Sequence, residues 1–585
     1  MKAFSKCNFR LFKRQISRFL TLILIVVVSV GFMAGIGEIE LKIDTAINYY
    51  YDSQNVADLY IKSSKITGFS ASDVSWIEEQ FGRENVKKGF SYEYVEGDKV
   101  VRVYSEDFTS EVNRLEIIEG NIPQNDSQLM VERETVGLES CSIGDIVTIM
   151  QKQYTVCGIV ANPLIVNNAE EPSFIDSTKN LTKVFYINAS VPMTNDLYVC
   201  IQDRSLFGAF SDEYKSEIED AKLLVESNIS DVKALSLYEN LGLYVLSEYA
   251  GKVGKIAIIF VVFFLLITLL VVYSTMTRLY DEERSQMACM KTLGYSNISI
   301  VLRYVFFVFF ASLIGGIIAF FVGNVLTSVV YSAFNLQYRM PPYPIASNHL
   351  FFIGSLIIIL LSSTALTLLS GLNIVKNKPS LLLAPKIQKA GKKVLLERTF
   401  LWKSLSFRYK STMRNVFLFK GRFFMTVISV IGSTVLVFAG LGLLNCASKM
   451  EGGSALISIS MALLLFSAVL CALVVYNLTN INVGERRREI ATLMVLGYND
   501  NEVSGYIFRE IYIMGAIGAL LGIVGGYFFM DLVFALIDFG TLSDIAWWSY
   551  VSTPIITLVF CFLATLLLRK KIVKTDMNAS LKSIE

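Results

Sequence analysis

A single histidine, His349, and eight cysteines are all the imidazole and thiol chemistry this chain carries. No Cys-x-x-Cys pair and no Cys/His cluster occurs, so a tetrahedral metal site has no ligand set. His349 stands where a loop enters a hydrophobic run, which reads as a membrane-interface position rather than a catalytic one. The polar stretch from Glu38 to Gly251 has no histidine, which removes Ser/His/Asp and Cys/His nucleophilic arrangements from it. Its scattered Asp and Glu residues read as solvated surface rather than as a carboxylate pair. Its three cysteines, Cys141, Cys157 and Cys200, are odd in number, so at most one disulfide could form there, and free, mostly packed thiols are the favoured reading. Gly-x-x-x-x-Gly-Lys-Ser/Thr is absent as well, so the chain lacks the backbone cradle and lysine that hold ATP phosphates. No catalytic, metal or cofactor site is expected in it.

The informative residues form a duplicated signature instead. Glu282, Arg284, Met287, Ala288, Met290 and Leu293-Gly294-Tyr295 match Glu485, Arg487, Ile490, Ala491, Leu493 and Leu496-Gly497-Tyr498 at a constant offset of 203. Such a match points to an internal repeat. It continues with Gly315 against Gly518 and Gly323 against Gly526, and Ile374-Val375-Lys376 is echoed by Ile572-Val573-Lys574. Each copy reads as a short helix with apolar residues at i, i+3 and i+6, a charged start and a glycine stop. Such a helix could lie on a membrane surface, but duplication favours docking on a two-fold partner. On that reading Ala288 and Ala491 are expected to be small because a partner surface packs against them.

The elements that must position these copies follow from composition. With 53% hydrophobic and 18% charged residues and a mean hydropathy of +0.51, the chain has more apolar surface than one soluble core can bury. The net charge of +2 gives no basic field for nucleic acid. Eight runs approach the roughly 20 residues that cross a bilayer: Phe19 to Gly37, Val253 to Tyr273, Val301 to Val330, Leu350 to Leu372, Phe423 to Leu444, Ala455 to Tyr476, Ile507 to Ile537 and Val551 to Leu568. The first follows Lys2, Lys6, Arg10, Lys13, Arg14 and Arg18 and has no convincing cleavage site, so it reads as a retained helix with a cytoplasmic N-terminus. Arg569, Lys570, Lys571 and Lys574 place the C-terminus on the same side. The strongly basic interval 374–422, with Glu397 its one acid, is expected there too, against anionic lipid. Glycines 515, 518, 522, 525 and 526 would let helices approach closely. Asp531 and Asp538 are too few for an ion relay.

The segment 38–251 patterns as a mixed α/β domain on the opposite side of the membrane. Strands are predicted near Ala57 to Ile61, Val100 to Tyr104, Ile146 to Met150 and Tyr154 to Val160, the last two joined by a tight polar turn as a hairpin. Helices are predicted from a Ser70 or Ser72 cap to Phe81 and over Ser211 to Glu226. The expected architecture is an α-helical integral membrane protein with eight transmembrane helices in two parallel four-helix repeats and one α/β extracytoplasmic domain. Its parts are a basic N-terminus (1–18), a first span (19–37), the outside domain (38–251), spans two to four with a first cytoplasmic helix near 281–295 (252–373), a basic linker (374–422), spans five to eight with a second near 484–498 (423–569), and a cytoplasmic tail (570–585).

These features resemble the FtsX-like permease family of MacB-type ABC transporters, most specifically over Glu485 to Tyr498. The linker from Leu396-Glu397-Arg398 through Trp402, Leu405, Arg414-Asn415 and Lys420 to Met425-Thr426, and Tyr476 to Asn480, resemble a Gram-positive, two-half branch. Gly120, Pro123, Gly144-Asp145 and Val156 to Val160 are similar to the MacB-type core domain. The resemblance implies a bacterial plasma-membrane permease, itself no enzyme, whose short cytoplasmic helices couple to a separate ABC ATPase, a dimer that holds ATP and Mg. It implies mechanotransmission to the outside domain and export or extraction of an amphipathic peptide, lipid or lipoprotein. The alternative it implies is an FtsX-like regulator of a cell-wall hydrolase or sensor. An extracytoplasmic protein or peptide is a possible partner on either reading. Only about Asn445 to Ser454 separates spans five and six, so no second outside domain is expected.

Cysteine labelling in intact cells should reach positions 145 and 222 from outside, and position 393 only after permeabilisation. Outside labelling of Lys393→Cys would overturn the arrangement.

Overall fold

The computed structural model of the chain describes residues 10–168, 171–175, 178–188, 193–201, 211–340, 349–383, 407–418, 420–449, 454–537 and 540–573. Most of the basic linker, with Lys393 and the Leu396 to Leu405 motif, and Asp538 lie outside the described residues. The chain divides into two compact units, one of Ile39–Lys252 with Val329–Asn348 and one of the remainder.

Among the described residues, eight helices are long and apolar enough to cross a membrane. They lie in α1 (Ile16–Gly37, followed by α2, Ile39–Gln54), α5 (Leu241–Glu282), α7 (Asn297–Gln337), α8 (Leu350–Val375), α11 (Lys420–Ala447), α12 (Ser454–Glu485), α14 (Asp500–Ile537) and α15 (Trp547–Val573). Several overrun the hydrophobic runs that announce them, because a helix of 42 or 41 residues is far longer than the bilayer requires. Two short helices, α6 (Arg284–Thr292) and α13 (Arg487–Val495), follow α5 and α12, while α9 (Pro379–Leu383) and α10 (Phe407–Leu418) border the linker.

The repeated glycines are close-contact positions. A Cβ on Gly315 would lie 2.9 Å from Val26 Cβ on α1, and one on Gly518 would lie 2.7 Å from Val430 Cβ on α11. Farther along, a Cβ on Gly323 would meet Ala34 at 3.2 Å and one on Gly526 would meet Phe438 at 2.7 Å. Val430 and Phe438 each stand 404 residues after Val26 and Ala34, so α11 is the structural counterpart of α1. The two halves meet through their second spans, where buried Asn477 Nδ2 on α12 donates to Thr275 Oγ1 on α5 at 2.8 Å. Phe32 stacks on Phe264 at 4.6 Å and touches Phe466 at 5.6 Å, joining α1 to both. His349 caps α8 without a side-chain bond, its Nδ1 3.2 Å from Glu38 Oε2.

The other unit is built on a sheet of ten strands among the described residues, in the order β10-β1-β9-β2-β3-β8-β5-β7-β4 with β6 paired to β7. The strands are β1 (Leu59–Ser63), β2 (Val86–Glu96), β3 (Lys99–Glu106), β4 (Glu116–Gly120), β5 (Gln128–Glu132), β6 (Ile146–Ile149), β7 (Lys152–Ala161), β8 (Lys183–Asn188), β9 (Asp196–Val199) and β10 (Val232–Ser236). Val100, Met130 and Val184 pack into one buried cluster, and Val101, Leu129 and Phe185 into another. Successive residues of one strand thus enter different cores, as in a sheet covered on both faces. α3 (Ala71–Phe81) starts with a capping box from Ser70, and α4 (Asp212–Asn228) is capped by Ser211, matching the side-chain caps that satisfy free N–H groups. β6 and β7 pair antiparallel from Ile149 against Lys152, and the turn residues Met150 and Gln151 both have positive φ, 46° and 70°. That is the backbone of a type I′ turn made without glycine. Cys141, Cys157 and Cys200 form no disulfide among the described residues. Glu132 accepts from Tyr186 Oη at 2.7 Å and from the Asn162 amide, and burial pushes its carboxyl up to about 7.

The boundary differs from the sequence reading at one place. The end of α7, read with the membrane spans, belongs to the sheet-bearing unit from Val329 on. Its hydrophobic run hides a polar end that completes this unit's hydrogen bonds. Asn168 N donates to Gln337 O at 2.8 Å, Arg339 N to Val166 O at 2.7 Å, and Arg339 Nη1 to Asn162 O at 2.9 Å.

Overpacking a tight helix contact costs about 1–3 kcal/mol. Gly315→Val and Gly518→Val should therefore each lower the unfolding temperature in detergent, while Gly354→Ala, where a Cβ meets nothing within 4 Å, should not. Unchanged melting of both valine variants would refute the close-contact role.

Candidate functional site

The two short helices begin at matched breaks. α5 ends at Glu282 and α12 at Glu485, and one residue, Glu283 or Arg486, takes a bridge-like conformation (φ −95°, ψ 10° and φ −101°, ψ 13°) before helix resumes. Both side chains are buried, at 1% and 4% exposure, and they carry opposite charge. An unpaired ion in such a place would cost several kcal/mol, and each finds a counter-ion in its own half. Glu283 pairs with Arg14, while neighbouring Glu282 accepts from the buried Arg18 Nη1 on α1 at 2.9 Å. Arg486 Nη2 donates to Glu510 Oε1 on α14 at 2.8 Å, and Arg486 Nε lies 3.4 Å from Glu489.

Each helix then stops in the same way. Gly294 and Gly497 have φ of +90° and +87°, with open space around both, so glycine is there for its backbone and not for room. Tyr295 N donates to Met290 O at 3.2 Å and Gly294 N to Lys291 O at 3.1 Å, and Tyr498 and Gly497 repeat the pair on Leu493 and Met494. This is the Schellman closure of a helix end.

Between break and stop, the predicted apolar row divides. Met287 and Ala288 are fully buried, as are Ile490 and Ala491. Met287 packs with Leu279, Ile300 and Tyr304, and Ile490 with Val483, Val503 and Ile507, all of the same half. Ala288 and Ala491 are therefore small because their own chain surrounds them, which corrects the expectation that a partner packs there. Met290 and Leu493 are half-buried against the same clusters. Leu293 and Leu496, the third members of each row, are 76% and 69% exposed, and Tyr295 and Tyr498 beside them are exposed too. Periodicity gives one face per helix, but the last turn of each lies past its supporting core.

The first helix is braced further. Arg284 Nη2 donates to Leu381 O at 2.8 Å, and Lys291 Nζ to Val375 O and Asn377 O at 2.6 and 2.9 Å. The side chains of Glu485 and Arg487 lie outside the described residues. The sequence reading took Arg14 and Arg18 only as the basic flank of the first span and did not single out Glu283, Arg486 or Glu510 as pairing residues, although an acid such as Glu510 in an apolar run is itself a signal.

Residues 258–379 and 461–577 each match the family model of the FtsX-like permease C-terminal domain. No curated protein matches the chain.

Removing one partner of a buried ion pair costs about 3–5 kcal/mol, whereas replacing both by apolar residues is often neutral. Arg486→Met should therefore destabilise the chain strongly in detergent melts, and Arg486→Met with Glu510→Leu should recover most of the loss. Additive losses in the double variant would disprove the pairing.

Proposed function

We propose, from the premise that the chain belongs to the FtsX-like permease family and carries that family's C-terminal domain twice, that it is the membrane subunit of an ABC transporter driven by a separate ATPase. FtsX-like permeases are multi-pass membrane subunits that generally work with an ATPase, and they are not themselves catalytic. The observation that supports the reading most is the pair of short helices, each locked into its own half at one end and exposing Leu-Gly-Tyr at the other. Leu293 with Tyr295, and Leu496 with Tyr498, are the exposed residues that would enter clefts on two ATPase subunits. ATP and Mg are held by that partner.

The N- and C-termini and both short helices face the cytoplasm on this reading, and the sheet-bearing unit faces outside. Nucleotide-driven closure of the partner pushes the exposed helix ends, and the buried pairs pass the push into α1, α5 and α14. The sheet-bearing unit is inserted in sequence between α1 and α5, so the helices moved in the first half are those that lead into it. The work done outside is export or extraction of an amphipathic peptide, lipid or lipoprotein.

Affinity purification of the full chain from native membranes should bring down an ABC ATPase, with ATP turnover that the chain lacks once that subunit is stripped away. Leu293→Ser with Leu496→Ser should lose most of the bound ATPase while inserting and melting like wild type, since truncating a buried interface anchor costs about 1 kcal/mol or more. Wild-type association in this double variant would sink the docking role. Absence of any ATPase from wild-type preparations would sink the reading as a whole.

A further inference from the structure

The two halves of the membrane unit differ between their third and fourth spans, at the end where the basic residues gather. α14 and α15 leave a groove of about 330 Å³ there, lined among others by Asn501, Ser504, Phe508, Phe562, Thr565 and Arg569. The matching residues of the first half lie close against one another. The 203 offset sets Ser504 against Val301 and Gly505 against Leu302. Aligning the ends of the fourth spans on Ile374 and Ile572 sets Thr565 against Thr367 and Arg569 against Gly371. At Gly371 the helices close so tightly that a Cβ would lie 2.6 Å from Val301 Cγ1 and 2.6 Å from Tyr280 Oη. Buried Val301 packed on Gly371 closes the space in one half, while Ser504, Gly505 and Arg569 line the opening in the other.

The groove has a polar end and an apolar wall. Tyr512 Oη and Thr565 Oγ1 close its floor at 2.7 Å, and Arg569 is exposed at its mouth, donating to Asn501 Oδ1. Ser504 is only 4% exposed, and its Oγ has no hydrogen-bond partner among the described residues. A buried hydroxyl in that position calls for an acceptor. Phe562 and Leu566 line the wall and are about half exposed along α15, at 52% and 47%, on a helix apolar enough to span hydrocarbon.

We infer that this groove holds one anionic phospholipid, its phosphate between the Arg569 guanidinium and the Ser504 hydroxyl and an acyl chain along Phe562 and Leu566. Guanidinium suits phosphate because its planar fork donates two parallel hydrogen bonds. The Arg569 charge favours a headgroup with net negative charge over a zwitterionic one. The exposed apolar wall selects a lipid over free phosphate, which has nothing to lay against Phe562. This site is separate from the ATPase-docking residues and stands whether or not that docking is correct.

Native mass spectrometry of the purified full chain, with phosphatidylglycerol or phosphatidylcholine added back after delipidation, tests it. One phosphatidylglycerol should be retained in preference to phosphatidylcholine, and Arg569→Gln should weaken that retention about fivefold or more, the worth of one basic side chain at a membrane surface. Arg569→Lys should keep much of it. Ser504→Val with Gly505→Leu, which installs the first half's residues, should abolish it without lowering the unfolding temperature. Equal retention of the two lipids, displacement by inorganic phosphate, or unchanged retention in both Arg569→Gln and the filled variant would overturn the inference. If the filled variant fails to fold, the contrast between Arg569→Gln and Arg569→Lys decides alone.

Discussion

An ion removed from water must be met by another, and this requirement organises the membrane unit at the break after each second span. The helix changes course at Glu283 and Arg486, where water is already excluded. The two halves answer the same problem with opposite signs. The first brings Arg14 and Arg18 from the chain's start to an acidic pair, and the second brings Glu510 from its own third span to an arginine. Backbone geometry at the break is shared, so the repeat preserves the shape while the charges have been exchanged. Buried pairs of this kind add little net stability, yet losing one partner is costly, so both members of each pair are held in place together.

The packing around that joint shows what kind of repeat this is. Gly315 and Gly323 receive α1, and Gly518 and Gly526 receive α11, at matched levels. Close backbone approach through small residues holds membrane helices together where no hydrophobic effect acts between them. The second spans then meet each other, with Asn477 reaching Thr275. Equal order in both halves and contact between corresponding helices are what parallel repeats about an axis along the membrane normal require.

Much of this was legible in the sequence, for reasons that can be traced. The Leu-Gly-Tyr signature marked both short helices and their stops because a left-handed residue at a helix end calls for glycine. The hairpin at β6 and β7 followed from alternation, though its turn sits at Met150-Gln151, one or two residues early, since neither residue advertises positive φ. Strands β5, β8 and β9 went unread because a strand buried on both faces loses its alternation. The end of α7 reads with the membrane spans because its apolar run continues past Val329, toward residues whose backbone bonds to the segment after β7. Met287 and Leu293 fall on one periodic row, yet one is buried and the other exposed. What covers a face depends on where the supporting helices end, and a single sequence does not record that.

The exposed ends of the two short helices are equivalent, but what stands behind them is not. α6 is tied by Lys291 and Arg284 to carbonyls at the end of α8 and in α9, and by Glu283 to the N-terminal segment. α13 has Arg486 bonded to α14 and within its own first turn. On the proposed reading, a symmetric pair of ATPase subunits would push two like surfaces into unlike mountings. Among the described residues, Lys291 makes bonds that Met494, at the matching place in the second half, has no donor to repeat.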